Sequence, residues 1–147
     1  MTETTEGFKG KFEFLSNMYE CDCPYNGMVF KSSEHLYQWL KVPPEAEWWR
    51  TKIFEAPHGK VAKKLAANPK CPKKQTADWD LTRIRYMKIA LWSKFTNNPD
   101  LKQKLLDTRG ATLVEYNHWK DTFWGVCNGE GENRLGKLLM QLREKLQ

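Results

Sequence analysis

Residues 30–41 read FKSSEHLYQWLK, and this stretch predicts a helix that carries apolar and ionisable side chains on separate faces. The pair Ser32-Ser33 supplies an N-cap, and Glu34 follows in the first turn, where the helix dipole favours a carboxylate. At about 100° per residue, Glu34, Gln38 and Lys41 fall within one narrow sector. The stretch therefore predicts a helix with one core face and one polar face.

The polar stripe of Glu34, Gln38 and Lys41 has two interpretations. It is either the solvated face of an amphipathic helix or a set of side chains that serve a site. Leu36, Trp39 and Leu40 gather on the opposite side and are expected in the core. Spacing alone favours the solvated face.

The stretch also resembles the signature of the YbiA-like, or NADAR, family of N-glycosidases, in which Glu-His-x-Tyr-Gln-x-x-Lys follows an aromatic residue and a serine. Further similarities occur in the family's order at Phe14-Leu15-Ser16-Asn17-Met18-Tyr19, Asp78-Trp79, Arg83, Met87, Lys94-Phe95, Leu113-Val114-Glu115, Asp121, Trp124-Gly125 and Gly131 to Met140. They span about Phe12 to Arg143. One departure is Cys127, where a second glycine is expected after Gly125.

Composition indicates a folded domain rather than a disordered chain. The 147 residues are 40% hydrophobic and 13% aromatic, with seven tryptophans, which suits a core or an aromatic-lined pocket. No repeat or linker divides the chain. We expect a single domain over residues 1–147, with 1–9 as a flexible N-terminal tail. The expected fold is an α-rich α+β class, one compact multihelical domain with a small β-hairpin and short strands.

Local signals place the elements. Two short strands are expected between Phe12 and Phe30, namely Cys21–Pro24 and Met28–Phe30. They form a hairpin around Asn26-Gly27, a pair suited to a type I′ turn. Further helices are expected at 45–55, at 58–68, after an N-cap at Asp78, from Asn98-Pro99 to Thr108, and at 133–146. A short strand is expected at 111–116, followed by an irregular loop at 117–132.

Metal, disulfide and membrane functions find little support in the sequence. No metal or cofactor is expected, because the single residue between Cys21 and Cys23 does not make a Cys-x-x-Cys knuckle and the histidines lack paired spacing. Reduced thiols are the expectation for a chain without an export signal. No run approaches the roughly 18 apolar residues of a membrane span, so a cytoplasmic location without a membrane partner is predicted.

The net charge of +6 and the isoelectric point near 9.1 favour anionic partners, whether a phosphorylated metabolite, a dinucleotide or nucleic acid. The densest basic run lies at 60–74, and a solvated face explains such a run most simply. Arg83, Lys94 and Arg134 are candidate phosphate partners, with salt bridges as the commoner alternative.

The family resemblance implies cleavage of an N-glycosidic bond, in which C1′ of ribose gains positive charge and the leaving nitrogen must be stabilised. Glu34 and Glu115 are the candidate acid, base or charge-stabilising groups. A desolvated Lys41 can attack an open-chain sugar aldehyde to give a Schiff base. Gln38 would position the ribose or the water. The catalytic candidates are therefore Glu34, Lys41 and Glu115.

Candidate substrate contacts lie on both sides of the chain's middle. They are Asn17, Tyr37, Gln38, Trp79, Arg83, Asp121, Trp124, Gly125, Gly131 and Asn133. Trp124 either joins the core or stacks on a base. The loop Gly129–Asn133 is either a plain turn with an asparagine cap or, as the resemblance implies, a contact to ribose or phosphate through Asn133 and the backbone near Gly131.

The resemblance implies two substrate classes: ribosylamino-pyrimidine phosphates early in riboflavin synthesis, or ADP-ribose attached to guanine in nucleic acid. The charge tilts the choice slightly towards a large anion. One alternative is a module that binds ADP-ribose, NAD or nucleic acid without turnover. Another is a basic protein that binds nucleic acid through its phosphates, with affinity falling steeply as salt rises. The sequence leaves the oligomeric state open.

Overall fold

The computed structural model describes residues 7–147, which divide into two compact units. The first, called the central unit, comprises residues 17–98; the second, called the terminal unit, combines residues 7–16 with 99–147. The described residues form α-helices with one two-stranded antiparallel sheet. The predicted α-rich α+β class is therefore confirmed.

The central unit begins with the predicted hairpin. Strands β1 (Cys23–Tyr25) and β2 (Met28–Phe30) pair antiparallel. Asn26 and Gly27 have φ values of 53° and 78°, so both turn residues adopt the positive φ that a type I′ turn requires. The hairpin thus confirms the Asn-Gly prediction, with β1 starting two residues later than expected.

Helix α1 (Ser33–Lys41) follows the hairpin and is buried from Ser33 to Leu40. Ser32 is its N-cap, because the hydroxyl oxygen accepts a hydrogen bond from the backbone N–H of His35 at 3.1 Å. The helix ends before Pro43-Pro44, as predicted. It packs against the next three helices of the unit and against both strands.

Those helices are α2 (Glu47–Glu55), α3 (Gly59–Ala66) and α4 (Trp79–Thr96). The predicted N-cap of α4 is confirmed, since the Asp78 carboxylate accepts from the Leu81 N–H at 3.1 Å. Helix α4 is tied to the hairpin by the Ser93 hydroxyl, which donates to the Pro24 carbonyl at 2.6 Å. These contacts fix α1 within a layer of helices.

The terminal unit contains a 3₁₀ helix (Gly10–Leu15), α5 (Pro99–Asp107) and α6 (Arg134–Lys145). An inward stripe of Leu135, Leu138, Leu139, Leu142 and Leu146 is predicted from the spacing in the last helix. The first four are buried, whereas Leu146 follows the end of α6 and is half-buried. Arg143 donates to the carbonyls of Thr108 and Ala111 at 2.9 and 3.0 Å, which anchors the helix to the chain after α5.

One strand prediction is wrong, and the 3₁₀ helix was not predicted. In that helix the Phe12 N–H donates to the Lys9 carbonyl, and Phe14 and Leu15 are buried. Residues 111–116 form only isolated bridges, such as that between Tyr116 and Val126. The side chain of Asn133, just before α6, hydrogen-bonds the backbone of Leu113 and Glu115 instead.

Part of the predicted N-terminal tail, residues 1–6, lies outside the described residues. Of the remainder, Gly7 is buried, and a Cβ there would lie 3.3 Å from the Tyr116 carbonyl oxygen. None of the helices in residues 7–147 combines the length and apolar character needed to cross a bilayer.

Candidate active site

The polar stripe of α1 is enclosed by protein. Glu34 is 6% exposed and Gln38 is 4% exposed, so the solvated-face interpretation favoured by spacing is wrong. The reason is that α2, α3 and α4 all pack on α1, and α3 does so beside Glu34. Gly59 at the start of α3 permits this closeness, since a Cβ there would lie 3.3 Å from Glu34 Cβ.

Glu34 and Gln38 form a buried pair with an incomplete set of hydrogen bonds. Gln38 Nε2 donates to Glu34 Oε2 at 2.5 Å. Gln38 Oε1 is buried and accepts no hydrogen bond from any described residue. An acceptor left in that condition costs about 1–3 kcal/mol, so a ligand donor that completes it would recover binding energy.

Lys41 lies one turn beyond Gln38 and is half-buried, with its Nζ 4.8 Å from the centroid of the Tyr37 ring. Withdrawal from water lowers the pKa of Lys41 to about 8, with a smaller contribution in the same direction from the charges of Lys73 and Arg83 and an opposing one from Glu34. Roughly a tenth of this amine is therefore neutral, and hence nucleophilic, at pH 7, a far larger fraction than for an ordinary lysine.

Asn17 braces the start of α1. Its backbone carbonyl accepts from the Glu34 N–H at 3.0 Å, and its Oδ1 accepts from the Ser33 hydroxyl at 2.9 Å. Its Nδ2 contacts the Met87 sulfur of α4 at 3.2 Å. The structure thus gives Asn17 a supporting role in placing Glu34, while direct contact with substrate stays a prediction.

His35, the histidine of the signature, is a structural link that the sequence alone did not identify. It is fully buried, with Nδ1 2.6 Å from the Ser32 hydroxyl and Nε2 2.9 Å from the Ala56 carbonyl oxygen. Burial lowers the pKa of His35, which keeps the ring neutral and able to join the helix start to the end of α2.

The predicted phosphate partners differ in their surroundings. Arg83, on the first turns of α4 with half-buried Trp79, pairs with Asp80 at 2.7 Å. Arg134 pairs with Glu132 at 3.1 Å, so both arginines make the salt bridges foreseen as the alternative. Lys94 is 0% exposed and cannot meet a phosphate in solution.

In the terminal unit, Glu115 and Gly125 are in direct contact. The Val126 N–H donates to the Glu115 carbonyl at 2.9 Å. A Cβ on Gly125 would lie 1.9 Å from Glu115 Oε2 and 2.2 Å from the Glu115 carbonyl oxygen. Asn117 Nδ2 donates to Glu115 Oε2 at 3.4 Å and to the Asp121 carbonyl at 2.8 Å. Asn117 is a member of this cluster that sequence reasoning missed, because no local pattern marked it.

Asp121 organises the aromatic turn that follows. Its Oδ1 accepts from the N–H groups of Phe123 and Trp124 at 3.2 and 2.9 Å. The half-buried Trp124 ring meets the Phe123 ring edge to face at 4.7 Å between centroids. Asp121 is therefore positioned to shape the loop, and Trp124 is not fully enclosed in the core.

The glycine loop is closed by its own backbone. Gly131 has a φ of 146°, and a Cβ there would lie 2.1 Å from the Gly125 carbonyl oxygen. The N–H groups of residues 132–135 donate to the carbonyls of Thr122, Gly125, Phe123 and Trp124, respectively. These donors are engaged within the chain, so they do not form an open phosphate cradle.

Asn133 is not the N-cap that a plain turn would have. Its φ is 51° and its side chain makes no capping bond. Instead Oδ1 accepts from the Glu115 N–H and Nδ2 donates to the Leu113 carbonyl, both at 3.0 Å. Asn133 thereby replaces the strand partner that 111–116 lacks, and it holds the backbone of Glu115.

Neither unit supplies a metal centre: among residues 7–147 no three His, Cys, Asp or Glu side chains group to hold an ion. What the structure does bring together is a carboxylate, an amide and an amine on α1 in the central unit. The second carboxylate, Glu115, lies among the loop residues of the terminal unit.

Comparison with known proteins identifies the family of the chain. Residues 5–147 match the NADAR domain. N-glycosidase YbiA of Escherichia coli is 33% identical over 133 residues, which are 90% of this chain and 80% of that protein. An N-glycosidase of Nostoc punctiforme is 39% identical over 115 residues, 77% of this chain and 72% of that one.

Two further comparisons bear on fold and length. The NMR structure of Escherichia coli YbiA superposes with a TM-score of 0.84 at 31% identity, covering 99% of this chain and 86% of that one. A riboflavin biosynthesis protein of Vibrio vulnificus is 36% identical over 91% of this chain, but the chain spans only 35% of that protein.

The relatives confirm the predicted class of enzyme, a hydrolase that acts on N-glycosyl bonds. Because residues 5–147, nearly the whole chain, match the family model, the chain belongs to the NADAR family.

Proposed function

We propose that this enzyme releases a base-like amine from a phosphorylated ribosyl or ADP-ribosyl substrate through a Schiff base on Lys41. The observation that supports this most is the lowered pKa of Lys41, about 8, on the same enclosed helix face as Glu34 and Gln38. A protein that only binds its ligand has no need of a nucleophilic amine there.

The chemistry follows from the three side chains. After the sugar ring opens, the neutral Lys41 amine attacks C1′, and the bond from C1′ to the leaving nitrogen breaks. Glu34 transfers the proton that the departing amine requires. Water then adds to the Lys41 Schiff base, which releases the sugar aldehyde and restores the free amine.

Gln38 supplies recognition in this proposal. Its Nε2 is committed to Glu34, and its Oε1 has capacity for a donor. A ribose hydroxyl is such a donor, and binding it would place the sugar between the acid and the amine. The positive charges that act on Lys41, from Lys73 and Arg83, would favour a substrate that carries phosphate close to the sugar.

The substrate class is tested by offering both candidates to the same protein. The enzyme would be incubated with a ribosylamino-pyrimidine phosphate and, separately, with guanine-containing nucleic acid that carries ADP-ribose. Mass analysis would detect released amine with ribose phosphate, or free ADP-ribose. Binding without release of either product would instead support a non-catalytic module. Release of free ADP-ribose would identify the modified nucleic acid as a substrate. We propose in addition that the enzyme acts in the cytoplasm.

The pH dependence provides a first prediction. A neutral Lys41 is the reactive form, and its pKa is about 8. We therefore expect kcat/KM to rise with pH and to level off above an inflection near 8, because the protonated amine that dominates at lower pH cannot attack. Initial rates from pH 6 to 9.5 would measure this, and a profile that is flat through that interval would contradict a lysine nucleophile.

A second prediction concerns Glu34→Gln. This change keeps the shape of the side chain and removes its ability to transfer a proton, so we expect kcat to fall about 10²-fold. Thermal unfolding should show that the protein stays folded. Glu47→Gln, on the exposed start of α2, is the matched control and should retain full activity. Equal rates for both variants would exclude the role given to Glu34.

A further inference from the structure

Cys21 and Cys23 form a pair of thiols that the reaction above does not use. Their sulfur atoms lie 3.8 Å apart, with Cys21 half-buried and Cys23 fully buried. They sit at the start of the hairpin, where the Cys21 N–H donates to the Lys31 carbonyl at 2.9 Å and Cys23 pairs with Phe30. Both side chains therefore project from the same face of one extended segment.

Lys94 of α4 interacts electrostatically with this pair. It is fully buried, with its Nζ 5.7 Å from the centroid of the Tyr19 ring. Burial lowers the pKa of Lys94 to about 8, and the groups that oppose this lowering are the thiols of Cys21 and Cys23. At neutral pH most of this amine keeps its charge, which favours a thiolate in the pair.

We propose that Cys21 and Cys23 are a peroxide-reactive dithiol, in which Cys21 is oxidised first and Cys23 closes a disulfide onto it. The roles follow from access. Cys21 is the sulfur that solvent partly reaches. Cys23 donates to or accepts from Cys21 within the protein, and that hydrogen bond together with burial raises the pKa of the Cys23 thiol.

The reaction balances with a hydroperoxide as oxidant. The Cys21 thiolate attacks one peroxide oxygen, an S–O bond forms, the O–O bond breaks, and hydroxide leaves as water after taking a proton. Cys23 then loses its proton and attacks the Cys21 sulfur, so that an S–S bond forms and the second oxygen leaves as water. The two thiols lose two electrons, and hydrogen peroxide is reduced to two waters.

The geometry permits closure with a small movement. Residues two apart in an extended strand are separated by about 6.6 Å. Disulfides span Cα separations of about 4.4–6.8 Å, so the side chains can meet by rotation with little change in the backbone.

Trypsin releases both cysteines in one peptide, residues 12–31, because no Lys or Arg intervenes between Lys11 and Lys31. After treatment of the folded protein with dilute hydrogen peroxide and alkylation, we expect this peptide to lack two hydrogens, carry no alkyl label and regain both labels after reduction with dithiothreitol. Cys71 and Cys127, which are buried in the same chain, should remain alkylated and serve as internal controls.

Two variants assign the roles. Cys23→Ser should stop the reaction at a sulfenic acid on Cys21 that dimedone traps. Lys94→Met should slow the first oxidation roughly tenfold, since the thiolate loses its neighbouring cation. If Lys94→Met does not fold, dimedone trapping in Cys23→Ser still tests which cysteine is oxidised first. The proposal is overturned if the 12–31 peptide keeps two labels, if dimedone marks other cysteines equally fast, or if only intermolecular disulfides form.

Discussion

Replacing Lys41 by methionine is expected to lower kcat by about 10³-fold or more without unfolding the protein. Methionine has nearly the length of lysine and no amine, so the Schiff base cannot form. Burial of the Lys41 amine destabilises its charged form, as the lowered pKa shows, and methionine removes this destabilisation. The free energy of unfolding should therefore stay the same or increase. Product release and chemical denaturation of the same preparation would measure both quantities.

Two controls separate nucleophilicity from charge. Lys41→Arg retains a cation that cannot form a Schiff base, and it should be as inactive as Lys41→Met. Lys88→Met removes an exposed lysine of α4 and should be fully active. Borohydride added during turnover should leave a reduced sugar adduct on Lys41 of the unaltered enzyme. Full activity of Lys41→Met would exclude the covalent route.

The sequence predicted which side chains of α1 form the site, but it did not predict that they are buried. Helical spacing correctly placed Glu34, Gln38 and Lys41 on one face. It also favoured solvent for that face, because polarity is the only indicator of exposure that a periodic pattern offers. Three other helices pack on α1, and the small Gly59 that lets α3 approach Glu34 lies far along the sequence. Burial of polar groups by distant elements leaves no local signal.

Features of the fold that depend on neighbouring residues were predicted correctly, and a feature that depends on a distant residue was not. The Asn26-Gly27 turn and the caps at Ser32 and Asp78 depend on a few neighbouring residues, and each is found where the sequence predicts it. The strand expected at 111–116 fails for a distant reason. Asn133, 18 residues after Glu115, takes its backbone N–H and so replaces the pairing of a second strand.

The glycine loop illustrates a related limit. Glycines before a helix suggest a phosphate cradle because their flexible backbone exposes N–H donors. Here the donors of residues 132–135 are occupied by carbonyls of residues 122–125. Gly131 is required so that the backbone of Gly125 can approach closely. Gly131 thus serves packing of the chain on itself, which composition cannot distinguish from packing on a ligand.

Gly125→Ala should destabilise the terminal unit severely, by about 3 kcal/mol or more. The added methyl group would lie 2.2 Å from the Glu115 carbonyl oxygen, and backbone cannot move aside as a side chain can. Relief requires the bridge between residues 116 and 126 to open, together with the bond from Val126 N–H to Glu115. Glu115 Oε2 would lie only 1.9 Å from the new methyl group, so the Glu115 carboxylate must also move. If Glu115 takes part in the reaction, kcat should fall as well.

Gly129→Ala is the matched control, since it isolates conformational strain from lack of space. Gly129 has a φ of 79°, and among the described residues no atom beyond its two chain neighbours lies within 4 Å of the point that the alanine methyl group would occupy. Alanine there costs only the strain of a positive φ, about 1 kcal/mol. At Gly125, by contrast, the φ is not positive and the cost of alanine comes from steric overlap with Glu115. Urea denaturation of both variants should therefore give a midpoint that is clearly lower for Gly125→Ala. Similar midpoints would mean that the contact between Gly125 and Glu115 yields easily, and Glu115 would then not be rigidly held.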